Sequence, residues 1–374
     1  MPAQTAEREW ITLPPGASGI ARRIEVLRFG RRGARPLAYL QAGLHADELP
    51  GMLALRELTA CLAGEEIVGE VVVVPACNPV GLSQHPHGLL TGRYEATGGE
   101  NFNRGWPDPA DAVAARVAGR LGGDAAANVA LIRAALAEEV ALLPEATEME
   151  GLRKALYGLA HGADYVLDLH ADNEAVVHLY IGDPLWPEAA DLAAEIGAQA
   201  VLLAEVSGGH PFDEAVSGPW WALARAFPQA AIPPAAFACT VELRCNNTVE
   251  EDIARADAAA LLRFLRRRGV VAGPVGPLPP LPAQATPLDG MQQLKAPVAG
   301  LVVYHAGLGE QVAAGALVAE ILDPLGGRAA VRAETSGVLF ARHEQRWAWE
   351  GRVIGKIAGP VPLADRVGTT LLPA

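Results

Sequence analysis

Thiols are scarce in this chain: 4 cysteines among 374 residues. Cys61, Cys77, Cys239 and Cys245 lie far apart and form no Cys-x-x-Cys pair, which excludes a disulfide framework and a thiolate zinc site and leaves buried reduced thiols. Long apolar runs are missing too. Nowhere do about 18 uncharged apolar residues follow one another, the length a membrane helix needs. The start, MPAQTAEREWITLPPG, has no basic segment followed by an apolar one, so a cytoplasmic protein without membrane contact is expected. Basic clusters are also absent. With 43 acidic against 30 basic residues the formal charge is −13, and no Lys/Arg run is dense enough to track phosphates, so nucleic acid is excluded as a partner.

What is present is ample apolar material, 51% of residues, over a length that suits two domains. Residues 22–29, 36–43 and 70–76 read as strands, and the run Val71-Val72-Val73-Val74 is what a strand covered on both faces requires. Between the last two, Leu49, Met52, Leu53 and Leu58 lie near helical spacing, with Asp47 as N-cap and Pro50 in the first turn. Val129, Ile132, Leu136, Val140 and Leu143 predict one amphipathic helix, and Met149, Leu152, Leu156 and Leu159 a second. Strands at 164–170 and 237–243 and a helix over 250–268 follow. This alternation predicts an α/β fold with a mixed, mostly parallel sheet and helices on both faces.

Residues 269–290 are rich in Pro and Gly and read as a linker. From Ala296 onward, short Val/Leu/Ile runs punctuated by glycine predict a small all-β unit. The chain is therefore divided into a catalytic domain, 1–285, and a β domain, 286–374.

The chemistry gathers at predicted strand ends. In GLHADELPG, His45 and Glu48 stand where a strand gives way to a helix, the position at which open α/β sheets build their sites. Alone, such a motif is more often an ordinary loop histidine and a first-turn acid. The segment DYVLDLH adds Asp168 and His170 on one face of a strand, because strand side chains alternate. His45, Glu48 and His170 then form a nitrogen and oxygen ligand set suited to one Zn²⁺ per subunit, with a fourth position left for water. Asp168 reads as a group supporting that site or as a strand-end residue capping nearby backbone. In TVELR, Glu242 faces away from Val241 and Leu243 and is the candidate general base.

His-x-x-Glu, a distant His and a late Glu, in this order, resemble the succinylglutamate desuccinylase and aspartoacylase family of the zinc carboxypeptidase clan. The similarity covers roughly residues 35–260, and a small β domain also occurs in the family. The resemblance implies a zinc carboxypeptidase-like fold and assigns His45, Glu48 and His170 to the metal and Glu242 to the base. It further implies that Asn103 and Arg104 in NFNRGWPD grip a substrate carboxylate, and that Arg93 stabilises a developing oxyanion. The chain departs from the family in reading GLHADE where Gly-x-His-Gly-x-Glu is usual, and in the segment GGHPFDEAVSGPWW. There Asp213 and Glu214 suit a cationic substrate group, unless the segment is an exposed loop with Trp220 and Trp221 packed beneath it. His85 and His87 read as uncommitted.

Residues 296–358 look like a biotinyl or lipoyl-type barrel-sandwich without a carrier lysine at the hairpin PLGGRAAVRAE, fitted to shape access to the site or to join subunits in a homo-oligomer. The expected function is zinc-dependent hydrolysis of an amide in a small, carboxylate-bearing N-acylated amino acid. The alternatives are a small-peptide metallocarboxypeptidase and a non-catalytic binding or assembly protein.

Overall fold

The computed structural model describes residues 6–372. Ten strands and seven helices occupy its first part: β1 (Glu7–Thr12), β2 (Arg23–Gly30), β3 (Leu37–Ala42), α1 (Pro50–Leu62), β4 (Glu70–Val74), α2 (Ala110–Val117), α3 (Ala125–Leu142), α4 (Glu148–Ala160), β5 (Tyr165–Asp172), β6 (Glu174–Ala175), β7 (His178–Ile181), α5 (Ala190–Ile196), β8 (Ala200–Leu203), α6 (Phe212–Ala226), β9 (Phe237–Cys245), α7 (Glu251–Arg267) and β10 (Ala285–Pro287). All these strands except β6 form one nine-stranded sheet, in the order β1-β2-β4-β3-β5-β9-β7-β8-β10. Pairing is parallel from β4 to β9 and again from β7 to β10, and antiparallel at β1/β2, β2/β4 and β9/β7. The architecture is thus mixed α/β with a largely parallel sheet, as the strand and helix alternation predicts.

Alternation along the strands decides what each face packs against. Leu40 on β3, Leu167 and Leu169 on β5 and Val241 on β9 face one way, into a core with α1, α5 and α7. Tyr39, Val166 and Ala238 face the other way, against Leu136, Leu156, Phe212 and Trp220 of α3, α4 and α6. Val71 and Val73 join the first core and Val72 and Val74 the second, so the all-valine run is buried on both faces.

Helix α1 begins at Pro50 with Leu49 as its N-cap and no side-chain cap, so Asp47 does not play the part its sequence position suggests. A proline at the first helical position leaves out an N–H that would have no intrahelical partner and already holds the helical φ. Gly51 lets this first turn press on the sheet: a Cβ there would lie 2.9 Å from the Leu169 Cβ and 3.0 Å from that of Ala42. The turn holding His45 and Glu48 is thereby seated directly on the ends of β3 and β5.

The C-terminal part contains β11 (Met291–Lys295), β12 (Gly300–Tyr304), β13 (Gln311–Val312), β14 (Leu317–Leu322), β15 (Arg328–Arg332), β16 (Gly337–Arg342), β17 (Trp347–Ala348) and β18 (Val353–Ala358). They form two antiparallel sheets, β11-β18-β16-β13 and β15-β14-β12-β17, around a separate core that includes Val302, Val318, Ile321, Leu339 and Ile357. β6, immediately after β5, pairs with β16 as the fifth strand of the first of these sheets. Arg342 and Arg346 both bind Glu174 beside this junction. The stretch 269–290, read as linker, supplies β10 at the edge of the large sheet, where Pro287 is tolerated. The division at 285/286 remains a proposal: β10 belongs to the large sheet and β11 to the smaller one. Among the described residues, no helix is long and apolar enough to cross a membrane.

Candidate active site

The inner face of the sheet turns polar at the strand ends. Register places Gln41, Asp168, Thr240 and Tyr180 in one row across β3, β5, β9 and β7, and His170, Glu242 and His178 in the next. Laterally paired residues share a face, so these groups project together, opposite to Leu167, Leu169 and Val241. His45 and Glu48 descend onto them from the turn before α1.

The three candidate ligands converge. His45 Nδ1 lies 2.9 Å from Glu48 Oε1, and His170 Nδ1 lies 2.8 Å from Glu48 Oε2, which also accepts the Ala171 N–H. All three are buried, and their ligand atoms lie within 4.8 Å of one another, the one such His/Cys/Asp/Glu group found among the described residues. Each imidazole is oriented from behind. His45 Nε2 meets Asn101 Oδ1 at 2.9 Å, an oxygen that also accepts the Asn103 N–H and is thereby fixed as an acceptor. His170 Nε2 meets Asp168 Oδ2 at 2.9 Å, while Asp168 Oδ1 accepts from Gln41, whose own oxygen accepts from Tyr39.

The tautomers follow. Both Nε2 atoms carry the proton, which leaves the Nδ1 lone pairs aimed at an acceptor carboxylate. Burial, then the nearby Arg93, lowers the His45 pKa to about 4, so this ring is neutral. Burial also opposes charging of His170, yet the Asp168 and Glu48 carboxylates raise it well above its ordinary value. The two carboxylates on the His170 ring nitrogens favour a cation at this point, which a proton or a metal ion can supply. Two neutral imidazole nitrogens and one carboxylate, each held by an outer hydrogen bond, make a donor set that fits Zn²⁺. Asp168 is bonded to the His170 ring and to Gln41, and among the described residues it accepts from no backbone N–H.

Glu242 stands beside this cluster, half-buried, with Oε2 enclosed and without a hydrogen-bond partner. Burial first, then the Glu48 carboxylate, pushes its pKa up to about 8. Arg93 Nη1 donates to Glu48 Oε1 at 2.6 Å and comes within 3.3 Å of His45 Nδ1, with 42% of the side chain still exposed. His45, Arg93, Asn103, Arg104, His170, Asp213, Glu214 and Glu242 all line one cavity of about 80 Å³, so the structure brings the sequence-derived candidates into a single pocket. His85 and His87 line none of it.

Asn103 has a second task. Its Oδ1 accepts the Phe212 N–H at 2.8 Å at the start of α6, while Nδ2 approaches His170 Nε2 at 3.4 Å. Arg104 donates to the Asn103 carbonyl, and its stem packs on Gly209. The segment 208–221 is not a loop. After positive φ at Gly208, Gly209 and His210, residues from Phe212 onward form α6, with Pro219 inside it. Gly208, Gly209 and Pro211 build the turn before the helix, while Gly218 and Pro219 lie within it. Trp220 and Trp221 are buried, and Asp213 and Glu214 line the pocket from the first turn of the helix. Glu214 accepts the Ser207 N–H. Asp213 is raised to about 7, chiefly by burial and then by the Glu214 and Asp168 carboxylates.

Residues 34–130 match the succinylglutamate desuccinylase/aspartoacylase catalytic domain. A crystal structure of a succinylglutamate desuccinylase/aspartoacylase family protein from Shewanella amazonensis is 27% identical, covers 94% of this chain and 98% of its own, and has a TM-score of 0.82. The chain is thus similar to the succinylglutamate desuccinylase/aspartoacylase family in sequence over residues 34–130 and in fold over nearly its whole length. A second such structure, from Shewanella frigidimarina, is 25% identical over 95% of this chain and 98% of its own, with a TM-score of 0.83. The N-alpha-acetyl-L-2,4-diaminobutyric acid deacetylase of Halomonas elongata is 35% identical over 89 residues, and the match spans only 24% of this chain and 24% of that protein's length.

Sequence reasoning missed Lys356. It lies on β18 of the C-terminal sheet, lines the pocket and donates to Asp172 at 2.5 Å. Asp172 itself carried a signal, two residues beyond His170 on the same strand. A lone lysine 184 residues away in an apolar strand carried none.

Proposed function

We propose that the chain is a zinc-dependent amidohydrolase that removes the acyl group from a small N-acylated amino acid. The observation that carries this reading is the pairing of two Nδ1 lone pairs and a carboxylate, converging on one point, with Glu242, whose buried oxygen has no protein partner. His45, Glu48 and His170 would hold one zinc ion, which when bound supplies Lewis acidity to the carbonyl and acidifies water. Glu242, its pKa raised to about 8 without that ion beside it, would be returned to its carboxylate form by the ion's positive charge; it then accepts the proton of the attacking water and passes it to the leaving nitrogen. Arg93, already against Glu48, donates to the carbonyl oxygen as negative charge builds there. Asp168 holds the His170 ring in the required tautomer.

Asn103 and Arg104 take the substrate carboxylate, for which a planar guanidinium offers two parallel donors. Asp213 and Glu214 stand across from Arg104 and suit an ammonium on the same amino acid. The name of the diaminobutyrate deacetylase relative fits such a zwitterionic substrate. A cavity of only about 80 Å³ around these groups favours a small amino-acid half over a peptide, and so a deacylase over a carboxypeptidase. The test is hydrolysis by zinc-loaded protein of Nα-acyl-L-2,4-diaminobutyrate, N-acetylaspartate, N-succinylglutamate and dipeptides. Turnover of an N-acyl amino acid above that of dipeptides is expected; turnover of dipeptides alone would favour the carboxypeptidase reading, and turnover of none would leave a binding or assembly role.

A further inference from the structure

A second, larger cavity of about 840 Å³ opens beside the pocket, and Arg93 lines both. Leu49, Pro86, Leu89, Leu90 and Tyr94 give it an apolar side; the remaining wall is polar and includes Asp47, Glu95, Asn246 and Glu344. Leu89 is 69% exposed and Tyr94 45%, so both offer apolar surface to an occupant of this cavity.

The groove wall is preformed. Gln84 ties its loop together, donating to the carbonyls of Thr91 and Tyr94 and accepting the Ala96 N–H. The same loop is fastened to the metal turn: Ala46 donates its N–H to the Gly92 carbonyl at 2.9 Å, and a Cβ on Gly92 would lie 2.5 Å from that of Ala46. Phe102 donates to the Arg93 carbonyl and fixes where this arginine stands.

Resting on the hydrolase reading above, the geometry points to a substrate whose acyl half is a medium-length alkyl or aryl chain lying in this groove. Arg93 marks the scissile carbonyl, because it touches Glu48 and borders both cavities. The inner cavity holds the groups that recognise an amino acid, Arg104 and Asp213 among them. The other half of the amide must leave on the opposite side of Arg93, where the space is about 840 Å³ and one side is apolar. Attack of water on the carbonyl and cleavage of the C–N bond then give a fatty or aryl carboxylate in the groove and a free amine in the inner pocket.

The experiment has two arms on zinc-loaded, full-length protein. Calorimetric binding of acetate, butanoate, hexanoate and octanoate should tighten roughly twofold per added methylene, about half of what full burial gives in an open groove. Leu89→Ser, at an exposed position, should reduce the octanoate-to-acetate ratio several-fold, and Leu89→Ile should restore most of it. Equal affinity along the series, or an unchanged ratio in Leu89→Ser, overturns the proposal. In the second arm, N-octanoyl and N-acetyl derivatives of one amino acid are compared as substrates, with the octanoyl compound expected to have the higher kcat/KM. Chain-length-dependent binding with no hydrolysis of any compound would instead overturn the hydrolase reading.

Discussion

Strands β5 and β9 present two faces of opposite character. Leu167, Leu169 and Val241 point into a core closed by α1, α5 and α7; on the other face His170, Thr240 and Glu242 line a polar pocket, with Asp168 buried behind His170. The backbone is shared, so alternation alone separates what holds the sheet together from what the sheet can do. Burial on the first face adds stability in proportion to area. On the second, every buried polar group needs a partner, and those without one mark where a ligand belongs.

Substitutions that cross this divide should have separable effects. The largest is expected for Glu242→Gln, which should lower hydrolysis by roughly 10²–10⁴ while leaving metal content unchanged. Turnover numbers and metal analysis on the same sample check this. On the opposite face, Leu169→Ala should cost about 2–5 kcal/mol in urea unfolding and leave kcat per folded molecule intact. Loss of kcat in that variant would show that the two faces are not separable.

How much of this was legible in the sequence follows from the same alternation. Period-two placement put Asp168 with His170 and turned Glu242 away from Val241, and the structure keeps all three where the pattern set them. The valine run of β4 likewise declared a strand buried on both faces. What stayed hidden depends on long-range pairing or on turn geometry. Lys356 reaches the pocket only because β6 pairs with β16 and docks the C-terminal sheet against β5. Helix α6 was obscured because Gly208, Gly209 and Pro219 are ordinary signs of a break, whereas here the Asn103 side chain secures the helix start and packing of Trp220 and Trp221 holds the rest.

Smaller effects sharpen the contrast within the polar face. Asp168→Asn keeps the volume but weakens the group that fixes the His170 tautomer, and zinc affinity should fall about 10- to 100-fold in a competition titration with a chelator. The smallest change concerns pH. The pKa of Asp213 is raised from 3.8 to about 7, so the folded chain keeps a proton there that the unfolded chain gives up between those values. Stability from this group is therefore full below the unfolded pKa and is lost as pH rises through about 7. Asp213→Asn removes that loss and should raise stability at pH 8 by on the order of 1 kcal/mol, with no gain near pH 3. Thermal melts of both proteins at the two pH values check the sign.

The most direct test of the account is the metal content of purified protein after dialysis, measured by mass spectrometry beside His170→Ala. The account predicts one zinc per wild-type chain and close to none in His170→Ala, with both proteins folded. Wild-type protein that takes up no stoichiometric metal when zinc is supplied, or a His170→Ala variant that retains it, would contradict the assignment of His45, Glu48 and His170.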